Sequence, residues 1–329
     1  MPKRRAPGRQ SKKSAPRVST RIARAARKAS LKIRNVLVPI DFSPHSIKAL
    51  EFALPLVKHF GAGLHLVHVY TREHPMAALA AVPLVMPEAE MSRSAHRRLT
   101  NVARKFAIKP PEKNFHVLKG RPFEEICRLA RKSSIDLIVI ATRGNTGFKH
   151  FALGSTAERV VRYSPCPVLV VRQQKKFSAQ PPGFRKILVP IDFSECSMKG
   201  LAYAQAFAAE FKSTLVLLHS VHFQYFVASD EYARYDLPLL LQQAEQAARE
   251  RMRDLVRKTD WKGLNVETSL EAGHAGQQVC DGAWGRDVDL IVTSTHGTTG
   301  LKHVLLGSTA EYVVRHAACP VLVVPTRPI

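Results

Sequence analysis

The sequence is sparing with cysteine and places its five residues singly. Cys127, Cys166, Cys196, Cys280 and Cys319 form no CxxC pair and are odd in number. That spacing argues against a disulfide framework and a structural zinc site, and it fits a reducing compartment. Long apolar runs are missing too. The longest, from Pro75 to Pro87, is interrupted by Pro83 and is shorter than the roughly 20 residues that span a bilayer, so no transmembrane helix is expected. No apolar segment follows the basic N-terminus, which is therefore not read as a secretory signal. Two nucleotide motifs are absent: there is no GxxxxGK[ST], and the first strand-to-helix turn reads DFSPHS instead of GxGxxG. A P-loop NTPase and a dinucleotide-binding dehydrogenase are both excluded on that ground.

Acidic residues are scarce, 26 against 50 Lys+Arg, and residues 1–34 have none. Thirteen basic residues lie in that stretch, which leaves a net charge of +11 on the other 295. Residues 1–34 are read as a basic, disordered extension. Ser19 to Arg34 mixes Ile22, Leu31 and Ile33 with the charges, so a helix formed on a polyanion is a second reading. Nucleic acid and an anionic membrane are the partners such a segment would attract through phosphate. It has no aromatic residue to stack on bases, so sequence-specific readout is not expected. Its composition also matches an organelle transit peptide; without that reading the expected location is cytoplasmic.

The rest is globular in composition, with 45% hydrophobic and 23% charged residues, and 329 residues are enough for two domains. Self-comparison divides it. NVLVPIDFS at 35–43 returns as KILVPIDFS at 186–194, and GNTGFKHFALGSTAERVVR at 144–162 returns as GTTGLKHVLLGSTAEYVVR at 297–315. CPVLVV closes both copies, at 166–171 and 319–324. The offsets are 151 residues early and 153 late, so the units differ by a net insertion of two. The expected organisation is a first domain at 35–173, a linker at 174–184 and a second domain at 185–326.

Within each unit, short β-branched runs alternate with longer amphipathic stretches. Strands are predicted at Val36 to Ile40, Leu64 to Tyr70, Phe115 to Leu118, Asp136 to Ala141 and Pro167 to Arg172, and in the second unit near Ile187, Leu215, Val266, Leu290 and Val321. Helices are predicted over Pro44 to Phe60, Glu88 to Phe106, Pro122 to Ser133 and Ser155 to Tyr163, with Ser43 as a hydroxyl cap ahead of Pro44. Alternating β and α predicts two tandem α/β domains, each a doubly wound, five-stranded parallel sheet.

Ligands of such sheets bind beyond the carboxyl ends of the strands, where strand order reverses. Asp41 and Asp192 end the first strand of each unit. After the fourth strand comes a loop from Gly144, nine residues, then Gly154-Ser155 opening a helix; the second unit has Gly297, nine residues, then Gly307-Ser308. Glycine at a helix N-terminus lets backbone amides approach phosphate, with the helix dipole assisting. Arg143 and Lys149, and His296, Lys302 and His303, add positive charge nearby. Each feature also has a structural reading: Asp41 as a turn or cap residue, the glycines as helix-packing positions, and His68 and His219 as hydrogen-bonded core residues.

These strings resemble the universal stress protein (UspA-like) family, whose nucleotide-binding members carry Gly-x2-Gly-x9-Gly-[Ser/Thr]. The resemblance covers both units. It implies a Rossmann-like, adenine nucleotide alpha hydrolase-like domain that holds ATP, with Mg2+ or Mn2+ accompanying the nucleotide. By position it implies Asp41, Val69, Gly144, Gly154 and Ser155 as nucleotide-binding residues in the first unit and Asp192, Gly297, Gly307 and Ser308 in the second. The motif's first glycine is Ala141 here and Ser294 there, and the position matching Val69 is Ser220. It further implies that Val168 to Val171 and Val321 to Val324 pair within the chain, and a homodimer of chains is a further expectation. Neither unit assembles a catalytic set, so the sequence reads as a regulatory nucleotide-binding protein with at most slow hydrolysis. The alternatives are a scaffold that binds no nucleotide and an ATP-consuming enzyme.

Overall fold

The computed structural model describes residues 31–71, 87–108, 112–142, 153–172, 183–221, 237–295 and 306–326. The first repeat runs β1 (Asn35–Pro39), α1 (Pro44–Phe60), β2 (Gly63–Tyr70), α2 (Glu88–Lys105), β3 (Phe115–Lys119), α3 (Pro122–Lys132), β4 (Leu137–Ala141), α4 (Ser155–Tyr163) and β5 (Val168–Val171). The second runs β6 (Lys186–Pro190), α5 (Glu195–Phe211), β7 (Thr214–Val221), α6 (Leu237–Lys258), β8 (Val266–Ala272), α7 (Ala275–Gly285), β9 (Leu290–Ser294), α8 (Ser308–His316) and β10 (Val321–Val324). Every element predicted from the sequence is present.

Strand order is β3-β2-β1-β4-β5-β10-β9-β6-β7-β8, so the two five-stranded parallel sheets are halves of one ten-stranded sheet. Among the described residues its single antiparallel junction lies at the centre, where Val168, Leu169 and Val170 face Val323, Leu322 and Val321. Both strands are apolar and β-branched, and pairing removes two edges that would otherwise be open to association. Order reverses between β1 and β4 in one half and between β6 and β9 in the other.

Strand residues alternate between two cores. Val36 and Val38 pack with α1 and α2 on one face, where α5 and α6 continue the layer. Leu37 and Ile138 pack with α3 and α4 on the other face, continued by α7 and α8. Apolar residues on both faces explain why the central strands read as unbroken hydrophobic runs.

Ahead of the first strand of each repeat, residues read as extension or linker join the core. Leu31 and Ile33, counted with the basic extension, pack into the core, and Ile33 is 3% exposed. The backbone amides of Arg34 and Asn35 donate to Asp136 Oδ2 at 2.8 and 3.0 Å, which ties the start of β1 to the start of β4. Asp289 does the same for Arg185 and Lys186. Phe184, assigned to the linker, is 1% exposed among Phe52, Phe207 and Phe211. Charge runs dominate both stretches locally, whereas burial selects their isolated apolar residues. Residues 1–30 of the extension, with its expected polyanion contacts, and 174–182 of the linker lie outside the described residues.

Candidate functional site

The two reversal points each bring a strand-one end beside a strand-four end. Asp41 follows β1, and its Oδ1 accepts from the amide of Ser43 at 2.9 Å and from the Ser43 hydroxyl at 2.6 Å. Ser43 in turn accepts from the amide of Ser46 at 3.1 Å and so caps α1. Asp192, Ser194 and Ser197 repeat this arrangement at 2.9, 2.6 and 3.1 Å. The structural reading of the aspartates is therefore met at one carboxylate oxygen: they hold the cap that starts the helix.

The helix on the β4 side is built differently. Gly154 is the residue before α4, at φ −63° and ψ 141°, and no side chain among the described residues caps the helix; Gly307 before α8 has −59° and 142° and is likewise uncapped among the described residues. Any residue adopts those angles, so conformation alone does not call for glycine here. What glycine provides is access to the first-turn amides. The base of the loop is closed by the Gly154 amide donating to the Thr142 carbonyl at 2.7 Å and by Gly307 donating to Thr295 at 2.8 Å. Ser155 and Ser308 open the helices and are exposed. A helix start with an exposed serine as its first residue, beside a strand-order reversal, is suited to an anionic group.

Val69 lies at the carboxyl end of β2, in register with Leu118 on β3. Both, together with Phe123 in the first turn of α3, pack partly buried against the α3–α4 core. They share the sheet face that carries α4. Asp41, Val69, Gly154 and Ser155, and Asp192, Gly307 and Ser308, thus lie where the sequence places them relative to the strand ends. Gly144 and Gly297 lie outside the described residues, as do Arg143, Lys149, His296, Lys302 and His303.

His68 and His219 are hydrogen-bonded, as the structural reading has it, but partly rather than fully buried. Their Nδ1 atoms lie 2.7 and 2.6 Å from the carbonyl oxygens of Ile40 and Ile191. Burial lowers the His68 pKa, outweighing its bond to that carbonyl. The neutral ring donates through Nδ1 and fastens the end of β2 to the end of β1. Burial also raises the Cys127 thiol to about 11 and that of Cys166 to about 12, which keeps both protonated at neutral pH.

Sequence reasoning missed the residue between Asp41 and Ser43. Phe42 has φ +64° and Phe193 has φ +63°, a left-handed backbone that a bulky side chain adopts at a cost of order 1 kcal/mol. Each ring is held from two sides. Phe42 lies 4.5 Å from the His68 ring, with the Arg98 guanidinium 3.9 Å above it. Phe193 has His219 at 4.8 Å and Arg251 at 4.2 Å. The repeated PIDFS string was the available signal, but nothing local in it joins Phe42 to an arginine on α2.

Comparison with known proteins agrees with this architecture. The universal stress protein family model matches residues 32–172 and again 183–325. The chain is 32% identical over 147 residues to Universal stress protein MJ0531 of Methanocaldococcus jannaschii, covering 44% of this chain and 84% of that protein. It is 34% identical over 145 residues to Universal stress protein YxiE of Bacillus subtilis, covering 42% of this chain and 97% of that protein. A solved universal stress protein from Archaeoglobus fulgidus superposes with a TM-score of 0.62 over 90% of this chain and all of its own, at 23% identity. That likeness concerns the fold.

Proposed function

The chain belongs to the universal stress protein family, and from that premise we propose that it is a regulatory protein whose repeats bind ATP at the two strand-order reversals. One observation carries the reading: a glycine that its backbone angles do not require stands before a helix start uncapped among the described residues at both reversals, in an arrangement kept across 153 residues. The first-turn amides of α4 and α8 would meet the phosphates, with Ser155 and Ser308 beside them. Val69 would meet the base, and Gly144 and Gly297 would complete the phosphate loop.

Mg2+ or Mn2+ would arrive on the nucleotide. Asp41 and Asp192 are the carboxylates nearest the reversals in sequence, and each already spends one oxygen on its serine. Such a cation would neutralise phosphate charge, while the protein's part is to hold and orient the nucleotide. Occupancy, with at most slow hydrolysis, is then the output, and a ligand shifts the chain only through a difference in affinity between its states.

The engagement of Asp41 with Ser43 favours the second reading, a scaffold in which the same residues serve only the fold. Mass spectrometry of nucleotide released from gently purified protein, followed by ATP titration calorimetry, separates the two. Wild type should bind close to two equivalents, and Gly154→Val and Gly307→Val should each lose one. No bound nucleotide and no heat, with or without Mg2+ or Mn2+, would leave the scaffold.

A further inference from the structure

The repeats agree closely where a phosphate would lie and differ where a base would lie. Gly154 and Gly307 have the same backbone conformation, and Asp41 and Asp192 the same hydrogen bonds. The neighbouring apolar surface is another matter. In the first repeat the ends of β2 and β3 and the start of α3 place Val69, its register partner Leu118, and Phe123 on the sheet face that carries α4, all partly buried against the core. The same three positions in the second repeat are Ser220, its register partner Glu271, and Gly276.

None of the three replacements offers an equivalent surface. Ser220 donates its hydroxyl to the Gly273 carbonyl at 2.6 Å, so the hydroxyl is already committed. Glu271 accepts from the Ser269 hydroxyl at 2.6 Å and pairs with Arg286 at 2.9 Å. Those bonds hold its pKa below the usual carboxylate value, so this surface is ionised at neutral pH. Gly276 has no side chain, and an added Cβ would lie 2.7 Å from the Tyr312 ring. Tyr312 comes from α8 and stacks on His316 at 4.1 Å, so the aromatic ring here is engaged with its own helix.

A purine binds by burying its faces against apolar side chains, whereas covering an ion pair strips water from two charges. We propose that the two repeats have diverged into unequal sites: the first is the high-affinity adenine-nucleotide site, and the second grips polyphosphate without a pocket for the base. The inference rests on the nucleotide reading above, and it makes Val69, Leu118 and Phe123 the residues that set base affinity.

The test is ATP titration calorimetry on Gly307→Val, which isolates the first site, and on Gly154→Val, which isolates the second. The first site should be at least about tenfold tighter, equivalent to about 1.4 kcal/mol. Inorganic tripolyphosphate, which has no base, should show a smaller ratio between the sites. Adding Ser220→Val and Glu271→Leu to Gly154→Val should tighten ATP binding at the second site. Val69→Ser in Gly307→Val, a smaller change that tests the same surface if the exchange does not fold, should weaken the first. Equal affinities, a tighter second site, or affinities that do not respond to these exchanges would overturn the inequality while leaving nucleotide binding intact. Absence of ATP binding in wild type would overturn the nucleotide reading, and the inference with it.

Discussion

His59 Nε2 lies 2.8 Å from Glu210 Oε1, across a sequence separation of 151 residues. That is the offset of the early repeat motifs, so the two residues occupy the same position in the two copies and face each other across the pseudo-twofold between them. Their neighbours Phe60 and Phe211 do likewise, ring to ring at 5.9 Å. Two identical repeats would set His against His or Glu against Glu here; the diverged pair is complementary.

His59→Glu would place two carboxylates at this junction. The pair is about a third exposed, so the expected loss is of order 0.5 kcal/mol, read from urea denaturation midpoints. Exchanging both residues, His59→Glu with Glu210→His, should restore the wild-type midpoint. If the exchange is as unstable as the single variant, the His–Glu hydrogen bond is not what this position supplies.

Phe184 is the larger contributor to the same junction. Phe184→Ala removes a ring that is 1% exposed and touches aromatic residues of both repeats, so a loss of about 3–5 kcal/mol is expected. Calorimetric unfolding should show the loss, and a change under 1 kcal/mol would mean that the cluster closes over the gap.

A stacked histidine pair gives the first repeat an acid limit. His65 Nδ1 and His116 Nε2 are 3.2 Å apart, with ring planes within 2° of parallel. Burial lowers both pKa values, that of His116 to about 4. The unfolded chain therefore takes up protons first. This stability is present in full above pH ~6.5 and is lost as pH falls toward ~4. Denaturation midpoints at pH 7.5 and pH 5 should differ more in wild type than in His65→Gln/His116→Gln; an equal difference would remove the pair as its source.

The contact between α7 and α8 predicts an exchange. Gly276→Phe clashes with Tyr312, whereas in the first repeat Phe123 stands at this position with Arg159 5.1 Å over its ring and Tyr163 at 5.8 Å. Gly276→Phe alone should destabilise by about 1–3 kcal/mol. Gly276→Phe with Tyr312→Arg, which restores the Phe123–Arg159 pair of the first repeat, should recover most of that loss in thermal unfolding. No recovery would show that the two helix pairs are not interchangeable.

The sequence by itself determined the repeat, the βα order, nearly every element boundary of the first repeat, and the Asp, Gly and Ser positions at the strand ends. These follow from periodicity, turn chemistry and capping, which act over a few residues, as at Ser43 and Pro44. Tertiary structure decided what faces what. It drew Ile33 and Phe184 out of basic stretches into the core, used Asp136 to hold amides about 100 residues away, and set Arg98 over Phe42. It also showed that the residues beside Val69 and Ser220 are Leu118 and Glu271, a register that strand pairing alone fixes. Such contacts join segments remote in the chain, and their energies arise from burial and close approach, for which a linear string carries no distance.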